Sequence, residues 1–311
     1  MTPRRVALFS LAATCLFFFE YLPPFKRVHL PFDLEGFHYP LLNYAFQSLR
    51  AGRFPEWDPS IYCGLSFAGN LQAGLFYPPN WLLFALSLPR GGLSFKAVEA
   101  LVIAHLWLAF FLAYCWLRGR QLGPLPSSLG AAVFAFSGYT LSQIQHYGVI
   151  AAYAWLPLAL LALDQCSAQR RWQPLWKLAA ASALAFLAGY PPAWFTFCVL
   201  VLVYAGRRIL PAAAALAFSL LLSMIQLLPA LEAATLKTPE NKYGGGIHGL
   251  EFYLSYFLPN YFNLNRSSTA PGEPTAQYLY LGAPVLFALL WAVYRRRLRP
   301  YLPALAVAAV S

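Results

Sequence analysis

The stretch "PFDLEGFHYP" (31–40) places two carboxylates, Asp33 and Glu35, just beyond an apolar run of 17 residues, in a chain with only 11% charged residues. A carboxylate so placed can take the proton of an attacking hydroxyl. Two together could hold Mg²⁺ or Mn²⁺ through oxygen ligands. Farther on, Glu56 and Asp58 flank Trp57, and Asn70, Gln72 and Asn80 add amides in a Gly- and Pro-punctuated segment. "SGYTLSQIQHYGVIAAYAWLPL" carries Gln143, Gln145 and His146, and "MIQLLPALEAATLKTPENKYGGGIHG" carries Gln226 and Glu232. Lys237, Lys242 and Arg266 follow and could meet a phosphate. The candidate site set is Asp33 as the catalytic carboxylate, with Glu35, Asp58, Asn70, Gln72, His146 and Glu232 as candidate substrate contacts.

Each candidate also has a structural role open to it. Asp33 follows Pro31 and precedes helical spacing in Leu34, Phe37, Leu41, Leu42, Ala45, Phe46 and Leu49 that ends at Gly52. That spacing predicts an amphipathic surface helix with Asp33 as its N-cap. Glu35 would then lie in the first turn, where an acid suits the helix dipole. Asp58, Asn70 and Gln72 fit an interfacial turn. His146, like His105 in an apolar run, fits a hydrogen-bonded structural histidine. Glu232 falls one turn past the membrane at the outer end of a span, and the lysines fit a solvated loop.

Several chemistries lack a motif. There is no G-x-x-x-x-G-K-[ST], G-x-S-x-G, C-x-x-C or H-E-x-x-H, so ATP hydrolysis, serine-hydrolase chemistry and thiolate zinc sites have no support. Of the five cysteines, Cys15, Cys115 and Cys198 lie inside apolar runs, Cys166 adjoins a basic cluster, and only Cys63 lies in a long polar loop. That is no disulfide framework.

The elements that would position these residues follow from hydropathy. The chain has 311 residues and is 59% hydrophobic, and several apolar runs approach the roughly 20 residues that cross a bilayer as a helix. We expect an all-α polytopic membrane protein with one transmembrane domain over 1–311. Its spans fall near 6–22, 97–117, 126–143, 148–166, 175–190, 193–206, 209–229 and 277–294, and residues 301–311 begin a ninth that looks cut off. The fifth and sixth flank "GYPP" (189–192), as a tight hairpin or a re-entrant pair. The N-terminus is basic then apolar but has no small-x-small cleavage site, so it reads as a retained helix.

Charge orients these spans. Strict alternation puts 13 basic residues, from Arg4 and Arg5 to Arg299, on one side with a single acid, Asp164. The other side takes nine basic and ten acidic residues. The positive-inside rule places the basic clusters and the N-terminus in the cytoplasm. The net charge of +11 is thus a topology signal and calls for no nucleic-acid partner. Two long loops, 23–96 and 230–276, lie outside the cytoplasm. Their aromatic, Pro-rich composition predicts juxtamembrane helices against membrane lipids.

These stretches together resemble the YfhO-type membrane proteins, a family with a GT-C glycosyltransferase-like helix bundle. The resemblance rests on Asp33 with "YP" at 39–40, on "GRFPEWDPSIYCGLSFAGNLQAGLFYPPNWL", on "FSGYTLSQIQHYGVIAAYAWLPL", on "GYPP" and on "IQLLPALE". It runs in order along nearly the whole chain, which corresponds to the N-terminal part of longer family members. Tyr190 stands where the family commonly has a histidine. The resemblance implies a bacterial cytoplasmic-membrane enzyme. It would transfer sugar on the outer face from a polyprenyl-phosphate donor to a cell-envelope polymer or lipid, with Asp33 as the catalytic base and Glu35 a weaker counterpart. A transporter or lipid flippase, and a non-catalytic envelope assembly protein, are the competing classes.

Overall fold

Ser94 starts the longest helix: its extended backbone ends the preceding loop, and its side chain accepts a hydrogen bond from the Ala97 amide. From there α4 (Phe95–Gly119) runs 25 residues, about 38 Å at 1.5 Å per residue, enough to cross a bilayer core. The rest of the chain packs around it in a computed structural model that describes residues 3–22, 28–30, 32–61, 63–169, 172–235, 291, 294 and 295. The expected spans at 277–294 and 301–311 and most of the loop 230–276, with Lys237, Lys242 and Arg266, lie outside the described residues.

The described chain is mostly helical. In order it contains α1 (Pro3–Phe17), α2 (Tyr39–Arg50), a two-residue ribbon of β1 (Trp57–Asp58) and β2 (Leu65–Ser66), α3 (Pro78–Ser87) and α4. Then follow α5 (Pro124–Phe136), α6 (Gly138–Ser142), α7 (Tyr147–Ala154), α8 (Leu156–Gln169), α9 (Leu175–Leu187), α10 (Pro191–Ala205), α11 (Ile209–Leu222) and α12 (Met224–Thr235). Helix α4 packs against α1, α5, α7 and α8, while α9 packs against α8 and α11. The strands are antiparallel, Trp57 opposite Ser66.

Among the described residues three stretches are long and apolar enough to cross a membrane: Phe95–Gly119, Tyr147–Cys166 and Pro191–Leu222. The second slackens at Trp155 between α7 and α8, because Pro157 has no N–H for the carbonyl one turn back. The third is bent on itself. Trp194 near the start of α10 and Ser219 near the end of α11 both hydrogen-bond the Ser182 hydroxyl, at 3.0 and 2.9 Å. Both ends therefore lie at one level of α9, and the chain reverses at Gly206, whose φ is +53°. The separate sixth and seventh helices expected from the sequence are this hairpin. "GYPP" is likewise a tight turn between α9 and α10.

Two expected spans are broken. The run at 126–143 stops at Phe136, because Ser137 turns extended and accepts a hydrogen bond from the Thr140 amide, which starts a new short helix. The run at 209–229 breaks at Ser223 into α11 and α12, and Glu232 lies on a helix rather than in a loop. Large apolar residues such as Leu125, Leu129, Leu210, Leu221 and Leu228 face outward, while Asn80, Thr140, Ser182, Ser219 and Gln226 are buried. That inversion of the usual soluble arrangement suits a surface in contact with lipid.

Candidate functional site

The segment after α1 is held to the N-terminal end of α4. The buried carboxylate of Glu99 accepts from the Leu30 amide at 2.5 Å and pairs with Lys96 at 2.9 Å. Tyr39 donates to the Leu93 carbonyl at 3.0 Å. Glu99 escaped the reading of the sequence, although an acid in the first turns of a span is a signal that could have found it.

Asp33 lies on this tethered segment, but it does not cap a helix as expected. Its own backbone is helical, and its side chain makes no capping hydrogen bond. The preceding Phe32 turns the chain with φ of +59°, a left-handed conformation that is unusual for a bulky residue. The Phe32 carbonyl accepts from both Glu35 and Gly36 amides at 3.0 Å. A π-helical turn, Leu34–His38, then leads into α2. Wide turns of this kind and strained residues gather at functional sites. Leu34, Leu41, Leu42, Ala45 and Phe46 are buried as the spacing predicts, whereas Phe37 is exposed.

The Asp33 carboxylate instead faces His146: Oδ2 lies 3.4 Å from the ring Nε2, with the Asp33 side chain 57% exposed and that of His146 14% exposed. The other ring nitrogen, Nδ1, is 2.7 Å from the Gln143 amide oxygen. His146 reaches this place because the chain between α6 and α7 is broken. A single 3₁₀ turn carries the buried Gln143 and Gln145, and His146 leaves helical geometry before α7 begins. His38, on the buried face of the π turn, is the third ionisable group here. Burial pushes its pKa down to about 4, with the nearby His146 acting in the same direction and Asp33 opposing. Its Nδ1 is buried with no hydrogen-bond partner among the described residues.

Beneath this cluster a polar network locks the first loop onto the helices. His105 donates from Nδ1 to the Leu101 carbonyl at 2.7 Å, so its Nε2 is the acceptor for the Tyr77 hydroxyl at 2.7 Å. The Trp155 indole donates to the same hydroxyl at 2.8 Å. Tyr147 donates to Asn80, whose amide nitrogen donates to the Gly74 carbonyl at 2.8 Å. His105 is thus a satisfied structural histidine. Gly189 makes the approach tighter still: a Cβ there would lie 2.2 Å from the Leu71 carbonyl oxygen.

The remaining candidates are not brought to Asp33 by any hydrogen bond or ion pair. Asp58 is buried and spends one carboxylate oxygen on the amide and hydroxyl of Ser60, at 2.8 and 2.5 Å. The Asn70 side chain accepts from the Gln72 amide at 3.1 Å and caps a 3₁₀ turn. Both serve the folded loop. Gln226 donates to the Ala68 carbonyl at 2.9 Å and pins α12 over that loop. Glu35 and Glu232 are exposed. Among the described residues no three His, Cys, Asp or Glu side chains converge to hold a metal ion.

The site therefore presents an exposed carboxylate with a histidine ring beside it. Compared with known proteins, the chain matches no family model, no curated protein and no solved structure.

Proposed function

We infer that this chain is a multi-pass membrane glycosyltransferase of the GT-C-like kind, with Asp33 as general base. One observation carries the reading: an exposed carboxylate on a strained segment is held against His146 at 3.4 Å at one end of a bundle whose outward face is apolar. The distribution of basic residues supports an extracytoplasmic position for that end. In such a reaction the acceptor hydroxyl attacks the anomeric carbon of a polyprenyl-phosphate sugar while Asp33 removes its proton. The leaving phosphate needs positive charge, for which the sequence offers Lys237, Lys242 and Arg266. The acceptor class is an envelope polymer or lipid.

The test is to incubate the purified protein with labelled polyprenyl-phosphate sugars, with and without chelator, alongside Asp33→Asn. Transfer by the wild type and its loss in the variant are expected. Full transfer by the variant would remove Asp33 from the role, and no transfer by the wild type with any donor would overturn the class.

The broken helix between Ser137 and Tyr147 favours a second reading, because transporters bind substrate at discontinuous helices. Flux of lipid-linked sugar across proteoliposomes without transfer would select it.

A further inference from the structure

Resting on the glycosyltransferase reading, we propose that His146 is a positioning residue that holds the proton Asp33 removes, with Gln143 fixing its ring. His146 was singled out from the sequence as a substrate contact, and the geometry points elsewhere. Its side chain is only 14% exposed, and its two nitrogens are turned to protein oxygens, Nε2 to Asp33 at 3.4 Å and Nδ1 to Gln143 at 2.7 Å.

An amide oxygen only accepts, so the Nδ1 facing it carries a hydrogen. The neutral ring then presents its Nε2 lone pair to the Asp33 carboxylate. Two acceptors face one another, and one further proton turns that opposition into a charge-assisted contact. The pair is built to accept one proton. Among the described residues His38 also lies beside the ring, and burial pushes its pKa down to about 4. Buried Gln143 sits behind the ring with no charge to move.

The reaction balances as follows. The acceptor oxygen forms a bond to the anomeric carbon, and the bond from that carbon to the phosphate oxygen breaks, its electron pair leaving with polyprenyl phosphate. The acceptor proton passes to the exposed Asp33 carboxylate, which turns about its broad terminal torsion and delivers it to Nε2. The imidazolium then lies between two oxygens and returns the proton to solvent through Asp33.

Two measurements test this. The first needs no activity: ring ¹⁵N spectra of histidine-labelled protein in nanodiscs, with His146 assigned by its loss in His146→Asn. Neutral His146 should be the Nδ1–H form in the wild type. Gln143→Leu should release it to a mixture of tautomers, and Asp33→Asn should move the Nε2 resonance by removing the carboxylate that faces it. A ring indifferent to both substitutions overturns the proposal. The second is the pH profile of transfer. His146→Gln should lower kcat about 10- to 100-fold with little change in KM, and should displace the acid limb of the profile. Should that variant misfold, Gln143→Glu keeps the acceptor and displaces the same limb. Unchanged kcat and pH profile in either variant overturns the relay. No transfer by the wild type overturns the enzyme reading, and the spectra then decide the pair by themselves.

Discussion

Two acids mark opposite ends of α4, and they are held in opposite ways. Asp164, at the C-terminal end, accepts from Trp116 at 3.0 Å and from Tyr204 at 2.9 Å, and pairs with Arg120 at 3.3 Å, with its side chain 22% exposed. Asp33, at the N-terminal end, is 57% exposed and has His146 at 3.4 Å on one oxygen. Both Asp164 oxygens are occupied by donors and a cation, whereas among the described residues Asp33 has a single contact, on Oδ2, and an exposed side chain. The contrast separates an acid that fastens α4, α8 and α10 together from an acid that is available for chemistry.

The largest expected effect breaks the comparison on the Asp33 side. Asp33→Asn should reduce transfer by about 10²- to 10⁴-fold and barely move the unfolding midpoint, since few contacts are lost. A rate assay and a thermal unfolding scan on the same preparation check both halves. Asp164→Asn should do the reverse. It leaves Arg120 without its charge partner and weakens two further hydrogen bonds, for about 2–3 kcal/mol of lost stability, while the rate per folded molecule is unchanged. Denaturation in detergent measures the first and activity normalised to folded protein the second.

Acidity should distinguish the ends next. Unfolded, His38 takes a proton near 6.5, and folded it does so only at about 4. Between those values the unfolded chain binds more protons, so stability present above pH 6.5 is lost as pH falls toward 4. The loss should approach 1.4 kcal/mol per pH unit at most. Unfolding measured across that window should show the slope, and His38→Gln should flatten it.

Two smaller changes sharpen the picture of the Asp33 end. Tyr77→Phe takes one hydroxyl away from both the Trp155 indole and His105, both of which it bonds. About 1–3 kcal/mol of stability should go with it, read from the unfolding midpoint. Phe32→Gly relieves about 1–2 kcal/mol of left-handed strain, partly offset by about 0.4–1 kcal/mol of added freedom in the unfolded chain. A net gain of no more than about 1.6 kcal/mol, together with slower transfer from a looser Asp33, is the expected result.

Parts of this arrangement were legible in the sequence. The buried stripe of α2 was written in its spacing, and the end of α2 in Gly52, which takes φ of +72°. The hairpins were written in "GYPP" and in the arginines at 207 and 208. Other parts were not. Ser137 and Ser223 interrupt runs whose hydropathy is continuous, because a side chain that caps a helix or bonds back to its carbonyl competes with the helical ladder and leaves hydropathy untouched. Asp33 looked like an N-cap because local spacing offers it that role. The strained Phe32 turn took over the start of the helix, and the carboxylate was freed for a residue more than a hundred positions away.

By itself the sequence determined the environment and the inventory. Long apolar runs require helices, since a backbone amid lipid must satisfy its own hydrogen bonds. The scarcity of charge left Asp33 and Asp164 conspicuous. Only the tertiary structure decided what each acid and histidine does. Whether Asp33 faces His146, whether His105 is satisfied by Tyr77, and whether Asp58 is spent on Ser60 depend on contacts fixed to a few tenths of an ångström by packing. Composition and spacing carry no record of those distances.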